Sequence, residues 1–188
     1  MYKLALPILG LSLSLMATLG TAHAQVPSKV QAAIIYRILK YDKNVVDRSK
    51  AAISLVILLE GTAAERKDEI IAGFSSINGQ KVESASIKIA AVTIAGADKL
   101  PAAMTAASGN LIYLPQGVTA ATSAAAVAYG KANKVPVFSD DPVLSSQGVA
   151  VCIVLEGGSP KMVINLPASQ AQGMALSADV LKLAKVIR

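Results

Sequence analysis

The stretch AAISLVILLEG, residues 51–61, constrains the fold of this chain more than any other. It has the length of a strand, is apolar almost throughout and stops at a glycine, so it lacks the alternation of a strand with one wet face. A run of this kind is buried on both sides, as strands of a parallel sheet are. GNLIYLP (109–115), ended by Pro115, and VPVFSDDP (135–142), which runs into Ser139, Asp140 and Asp141, repeat the pattern. Between them lie helical stretches. AAERKDEIIAGF (63–74) has Thr62 ahead of it and Glu65 three residues on, the spacing of a capping box. ADKLPAAMTAA (97–107) carries Pro101 near its start, where a helix tolerates it, and TAATSAAAVAYGKAN (119–133) is alanine-rich. SIKIAAVTI (86–94) adds a strand after an Asn78-Gly79 turn. Short strands alternating with helices imply parallel pairing through right-handed crossovers.

Ahead of the first strand, SKVQAAIIYRILKYDKN (28–44) places Val30, Ala33, Ile34, Ile38 and Tyr41 on one helical face. Beyond the third, the pattern changes. VAVCIVLEGGSPKMVINL (149–166) is two strands about a Gly157-Gly158-Ser159-Pro160 turn, a β-hairpin. PASQAQGM (167–174) is a helical turn with Pro167 at its first position and Gly173 to break it. Ser177 is placed to cap a final helix running to Arg188. Its Val180, Leu181, Ala184 and Ile187 form one apolar stripe, and Lys182, Lys185 and Arg188 suit its C-terminal dipole end. The expected fold is a single-domain, three-layer α/β sandwich over residues 25–188. Its sheet is mostly parallel, with a C-terminal antiparallel hairpin and a closing C-terminal helix.

Residues 1–24 stand apart from this domain. Lys3 precedes an apolar run from Leu4 to Leu19, and Ala22-His23-Ala24 has the small-x-small form of a secretory cleavage site. The run is short of the ~20 apolar residues of a spanning helix. A signal peptide cleaved after Ala24 is therefore expected rather than a retained anchor, with the product in the periplasm. Gln25, not Cys, follows the cut, which argues against lipidation.

The mature chain of 164 residues then contains no histidine, because His23 leaves with the leader. That removes most zinc sites and any Ser-His or Cys-His catalytic pair. GxSxG, GxGxxG and GxxxxGK[ST] are all missing. The sequence reads as no enzyme, with neither metal nor cofactor. Seventeen basic and 12 acidic residues remain, net +5, spread along the chain with few aromatics. A nucleic-acid groove needs both clustered, so none is expected. Cys152 is the lone cysteine, inside the apolar VAVCIVLE, and reads as a small buried hydrophobe. Asp140-Asp141 sets two carboxylates side by side ahead of Pro142, where capping of the following helical turn is favoured over acid-base chemistry. One constellation remains. Ligands of open parallel sheets sit beyond the carboxyl ends of the strands. Those ends hold Glu60, Thr62, Gln116, Ser139 and Asp140, hydroxyl, amide and carboxylate groups suited to a small polar ligand. They are also the groups that any such fold would place there.

Three stretches together resemble the YfiR family of periplasmic domains. VQAAIIYRILKY is similar to the family's opening helix, and VPVFSDDP to its strand entering a Ser-Asp turn. The third, residues 148–188, matches the family's end through the hairpin, Ile164-Asn165-Leu166, Gly173, Ser177, Leu181, Leu183, Ala184 and Arg188. The resemblance implies a non-enzymatic regulator, similar to repressors that bind the periplasmic domain of an inner-membrane diguanylate cyclase. Such repressors hold the cyclase inactive, lowering cyclic-di-GMP and biofilm formation. A sensor kinase is the related partner, and a homodimer is compatible with the resemblance. Relatives carry several cysteines paired in disulfides and an aromatic segment after the first helix. Here Cys152 is alone, and Tyr41-Asp42-Lys43-Asn44-Val45 follows that helix. Redox gating is therefore not expected. The competing reading is a single-lobe small-molecule binding protein serving a transporter. A typical solute binder has two lobes and this chain makes about one.

Overall fold

Every residue from Ile53 to Leu59 is buried, and this segment forms the central strand β1 (Ala52–Leu59) of a computed structural model that describes residues 25–188. The export segment and cleavage site read over residues 1–24 lie outside the described residues. The remaining strands are β2 (Lys81–Val82), β3 (Ala85–Thr93), β4 (Leu111–Leu114), β5 (Val137–Ser139), β6 (Val151–Glu156), β7 (Ser159–Asn165) and β8 (Lys185–Ile187). They form one eight-stranded sheet in the order β2-β3-β1-β4-β5-β6-β7-β8. From β3 through β6 every neighbour is parallel; β6–β7 is the antiparallel hairpin, β7–β8 is parallel, and β2 adds a two-residue antiparallel pair at the other edge.

The helices are α1 (Ser28–Leu39), α2 (Val45–Ser49), α3 (Thr62–Glu65), α4 (Lys67–Phe74), α5 (Leu100–Ala106), α6 (Ala120–Asn133), α7 (Leu166–Ala171) and α8 (Ala178–Lys182). Alternation along β1 separates the two cores that they cover. Leu55, Ile57 and Leu59 pack with Ile35, Ile38, Ile70 and Phe74 of α1 and α4. Val56 and Leu58 face Leu100, Met104, Ala126 and Val127 of α5 and α6. This is the expected three-layer α/β arrangement, with helices on both faces of a mixed, mostly parallel sheet.

Three local expectations need correction. The buried face of α1 is Ser28, Gln31, Ala32, Ile35, Ile38 and Leu39, while Val30 and Ala33 point to solvent. The helix is set by its neighbour: a Cβ on Gly73 of α4 would lie 2.4 Å from the Ser28 Cβ, so the two helices meet there. That contact turns the Ser28 side inward. Thr62 is not a cap, since Gly61 holds the N-cap position of α3, and the stretch 63–74 is split at Arg66 into α3 and α4. The final helix stops at Lys182, and Ser177 at its N-cap makes no side-chain hydrogen bond. The chain then pairs as β8 along β7, Val186 opposite Ile164. The apolar stripe is divided accordingly. Val180 is buried and Leu181 and Ala184 pack on the α1 side, but Ile187 reaches the opposite face. β-Branched Val186 and Ile187 suit a pleated edge, and the open side of β7 supplies partners for their backbone.

The corner after α1 is closed by charge. Asp42 is 2% exposed, and its carboxylate accepts from Asn44 N (3.1 Å), Ala175 N (2.9 Å) and Arg48 Nη2 (2.8 Å). It thereby ties the end of α1 to the segment before α8.

Candidate functional site

β1 is flanked by β3 on one side and β4 on the other, so the chain's winding reverses between β1 and β4. A crevice beyond the carboxyl ends of the strands is expected at that point. The five residues expected at the rim lie around it, four of them in two separate networks and Thr62 exposed beside the first.

The first surrounds Glu60. Its Oε2 accepts from Thr119 N (3.1 Å) and from the Thr119 hydroxyl (2.7 Å), at the start of the fourteen-residue helix α6. Burial pushes its carboxyl upward, but the hydrogen bonds from Thr119 outweigh it and hold Glu60 below its ordinary range. The positive end of α6 is thus occupied by the chain's own carboxylate. Gly117 makes this possible. With φ +102° it brings the loop after β4 against Thr62: a Cβ there would lie 2.3 Å from Thr62 Oγ1 and 2.9 Å from Ala63 N. Thr62 is otherwise exposed.

The second network centres on Asp140, which is buried. Its Oδ1 accepts from Gln116 N (2.6 Å) and its Oδ2 from Gln31 Nε2 (3.0 Å). Gln31 Nε2 also donates to Val26 O (2.5 Å), and its Oε1 takes the hydroxyl of the fully buried Tyr113. Burial raises Asp140 above the usual carboxylate range, although the Gln116 and Gln31 hydrogen bonds and the nearby Arg66 charge oppose the shift. Tyr113 is raised well above its ordinary value by burial, then by the Asp140 charge. Arg66 donates to Gln116 O (2.8 Å) and to Gln25 Oε1, and Gln25 Nε2 donates to Gln116 Oε1. Ser139 is fully buried: its hydroxyl donates to Leu114 O (2.8 Å) and accepts from Asp141 N (3.0 Å), fastening β5 to β4. Asp141 caps the turn Pro142–Ser146 by accepting from Val143 N (2.9 Å), as read from the sequence.

The structure therefore joins Gln116, Ser139 and Asp140, holds the Glu60 carboxylate separately against the start of α6, and leaves Thr62 at the surface. What the residue pattern did not show is how the crevice is filled. Gln25 and Val26 lie across it, and with Gln116, Asp140, Pro142, Val154 and Leu155 they enclose only about 40 Å³. Gln31, Tyr113 and Arg66 complete the network. Gln31 carried a usable signal: it lies one turn before Ile35 on the side of α1 that is buried. Larger open grooves lie elsewhere, one of about 390 Å³ beside α4 and β3 and one of about 560 Å³ between α6 and α7. Among the described residues no three His, Cys, Asp or Glu side chains gather as a metal site, and no helix is long and apolar enough to cross a membrane. Cys152 is fully buried with its thiol 3.6 Å from Asp141 O, and burial pushes the thiol far up.

A mixed α/β sheet with helices on both faces defines a single α/β domain, and solved structures share its fold. A conserved domain protein from Vibrio cholerae O1 biovar El Tor superposes with a TM-score of 0.64 at 16% identity, over 88% of this chain and 61% of that one. The ABC domain in complex with L-Trp from Streptococcus pneumoniae gives 0.59 at 16%, over 86% and 60%. The ligand-free, open form of a substrate-binding protein with adhesive properties from Clostridium difficile gives 0.57 at 10%, over 78% and 58%. The chain thus spans about three-fifths of the length of these structures. No curated protein matches it in sequence. The chain belongs to the YfiR/HmsC-like family, whose profile matches residues 28–185. That membership fits a periplasmic regulator, and the family is not a known enzyme family.

Proposed function

We propose that this protein is exported, is cleaved after Ala24, and acts in the periplasm as a non-enzymatic repressor. Its partner is the periplasmic part of an inner-membrane signalling enzyme, a diguanylate cyclase in the first place and a sensor kinase in the second. Family membership supports the regulatory class. The filled crevice supports a protein partner over a solute. The rim groups that would grip a small ligand are held by Gln25, Gln31, Arg66 and Thr119, and about 40 Å³ remains, room for a water or two. Deleting the gene is expected to raise cyclic-di-GMP, and crosslinking in intact cells is expected to recover the cyclase. Unchanged cyclic-di-GMP together with no membrane partner refutes the reading.

The second reading, a small-molecule binder at the same rim, is favoured by the likeness to the L-Trp-bound and substrate-binding structures. It requires Gln25 and Val26 to leave the crevice. A panel of amino acids that raises the melting temperature, with release of this segment to protease, would put it first.

A further inference from the structure

Cleavage after Ala24, the export reading on which this inference rests, makes Gln25 the first residue of the protein. An amino-terminal glutamine has a reaction open to it that no internal glutamine has. Its own α-amine attacks the side-chain amide carbon Cδ. The N–Cδ bond forms, the Cδ–Nε2 bond breaks, and Nε2 leaves as ammonia with the proton that the amine gives up. The product is a five-membered lactam, pyroglutamate, and no oxidant, cofactor or second reactant is needed. The attacking amine must be neutral, so the reaction gains rate as pH rises through the ordinary α-amine range of about 7.7–8.0.

The structure holds Gln25 from both ends. Toward the chain, Val26 is buried and its carbonyl accepts from Gln31 Nε2 (2.5 Å), while Pro27 O accepts from Val30 N (2.8 Å) at the start of α1. At the side chain, Arg66 donates to Gln25 Oε1 and Gln25 Nε2 donates to Gln116 Oε1. The two holders are themselves fixed: Arg66 also donates to Gln116 O (2.8 Å), and Gln116 N donates to the buried Asp140 Oδ1 (2.6 Å). Ring closure draws Cδ back onto the residue's own nitrogen and expels Nε2, so the Gln116 contact is lost outright and the Arg66 contact has to move. The Arg66 cation polarises the same carbonyl, but this favours attack only on an amide that is free to reach the amine. We propose that Gln25 is a modification site governed by the crevice: the closed rim keeps the glutamine open, and release of the segment lets it cyclise. The product cannot reseal the rim as before, because Gln116 Oε1 has lost its donor and the terminal positive charge is gone. Cyclisation is then an irreversible record that the crevice has opened.

The test uses residues 25–188, freed from a fusion by a protease that leaves no extra residue, beside the same protein purified from the periplasm. A peptide of residues 25–34 sets the rate of an unrestrained terminus. At about pH 8, where much of the α-amine is neutral, intact mass follows the loss of one ammonia. That loss is expected to be at least about tenfold slower in the folded chain than in the peptide, a factor within reach of one or two net hydrogen bonds. Gln116→Ala removes the acceptor of Nε2 and keeps the backbone bond to Asp140, so it should bring the rate back toward that of the peptide with the circular dichroism unchanged. If Gln116→Ala fails to fold, the comparison of the wild-type chain with the peptide alone decides. The periplasmic protein is expected to begin at Gln25 with its amide intact. A folded chain that cyclises as fast as the peptide, a folded Gln116→Ala no faster than wild type, or a periplasmic protein already cyclised overturns the inference and leaves the export reading standing. A periplasmic protein that begins at another residue overturns the export reading, and the inference with it.

Discussion

Asp140 and Asp141 are neighbours of the same residue type, and the structure gives them opposite weights. Replacing Asp140 by Ala leaves Gln116 N–H with no acceptor and takes one of two acceptors from Gln31 Nε2, at a position only 6% exposed. A buried polar group left unpaired costs about 1–3 kcal/mol, so with Gln31 only partly deprived the loss should be about 2–4 kcal/mol. For a domain of this size each kcal/mol moves Tm by roughly 2–4 °C, which predicts a fall on the order of 10 °C. Asp141→Ala loses one cap on an exposed turn, about 0.5–1 kcal/mol, or a few degrees. Titration supplies a second readout. Burial lifts the folded Asp140 above its ordinary value. Between those two values the folded state therefore holds more protons than the unfolded chain, and stability falls as pH rises through that window. Asp140→Asn removes this contribution. The stability of wild type relative to Asp140→Asn should be greatest below the ordinary carboxylate range and decline as pH rises. Thermal melts of the three variants and wild type across an acid pH series measure both effects. Equal shifts for the two alanine variants, or a wild-type advantage that grows with pH, would refute the assignment of Asp140 as the buried hub.

Gly117→Ala forces a side chain onto Thr62 at a left-handed backbone position; a loss of about 1–3 kcal/mol and faster amide exchange at Ala63 and Thr119 are expected. Asp42→Ala strands Arg48, whose side chain is only 10% exposed, and should cost about 3–5 kcal/mol in a denaturant titration, against little for Lys99→Ala at an exposed pair. Val180→Asp puts an unpaired charge at a 1% exposed position and should lower Tm by several degrees, whereas Leu183→Asp, at 61% exposure, should leave it within experimental error. Cys152 should resist thiol reagents until the protein unfolds, and Cys152→Ala should cost on the order of 1 kcal/mol.

The order of strands and helices was legible because each buried strand is nearly all apolar and each is bounded by a Gly or Pro. Residues 51–61, 109–115 and 135–142 became β1, β4 and β5 with ends no more than three residues inside the expected ones. The hairpin was legible for the same reason. The rotation of α1 was not, since SKVQAAIIYRIL supports two apolar stripes about one residue apart. The choice between them is made by Gly73 on another helix. The C-terminal strand was hidden by ambiguity of period: Val180, Leu181, Ala184 and Ile187 satisfy a helix, yet three residues such as Val186 and its neighbours satisfy a strand equally well. An unpaired edge on β7 decides, and that edge exists only after the hairpin has folded.

The location of the rim followed from the fold, but its closure depends on residues far away in sequence. Gln31 and Asp140 are 109 positions apart, and Gln25 and Gln116 are 91 apart. No local pattern records such contacts. Their consequence for function is quantitative. Gln25 and Val26 are tethered to α1 through Pro27, so any solute at this rim competes with a segment whose effective concentration is in the mM range for so short a tether. A solute would need to repay the loss of the Gln31, Gln116 and Arg66 hydrogen bonds before any net affinity appeared. A protein partner bears no such handicap, because it can read the closed rim, Gln25 included, as a formed surface. The same arithmetic predicts that truncation of Gln25 and Val26 would raise affinity for any small ligand of the crevice while lowering the melting temperature. A truncated protein that still binds nothing small would leave the crevice as structure and the outer surface as the site of function.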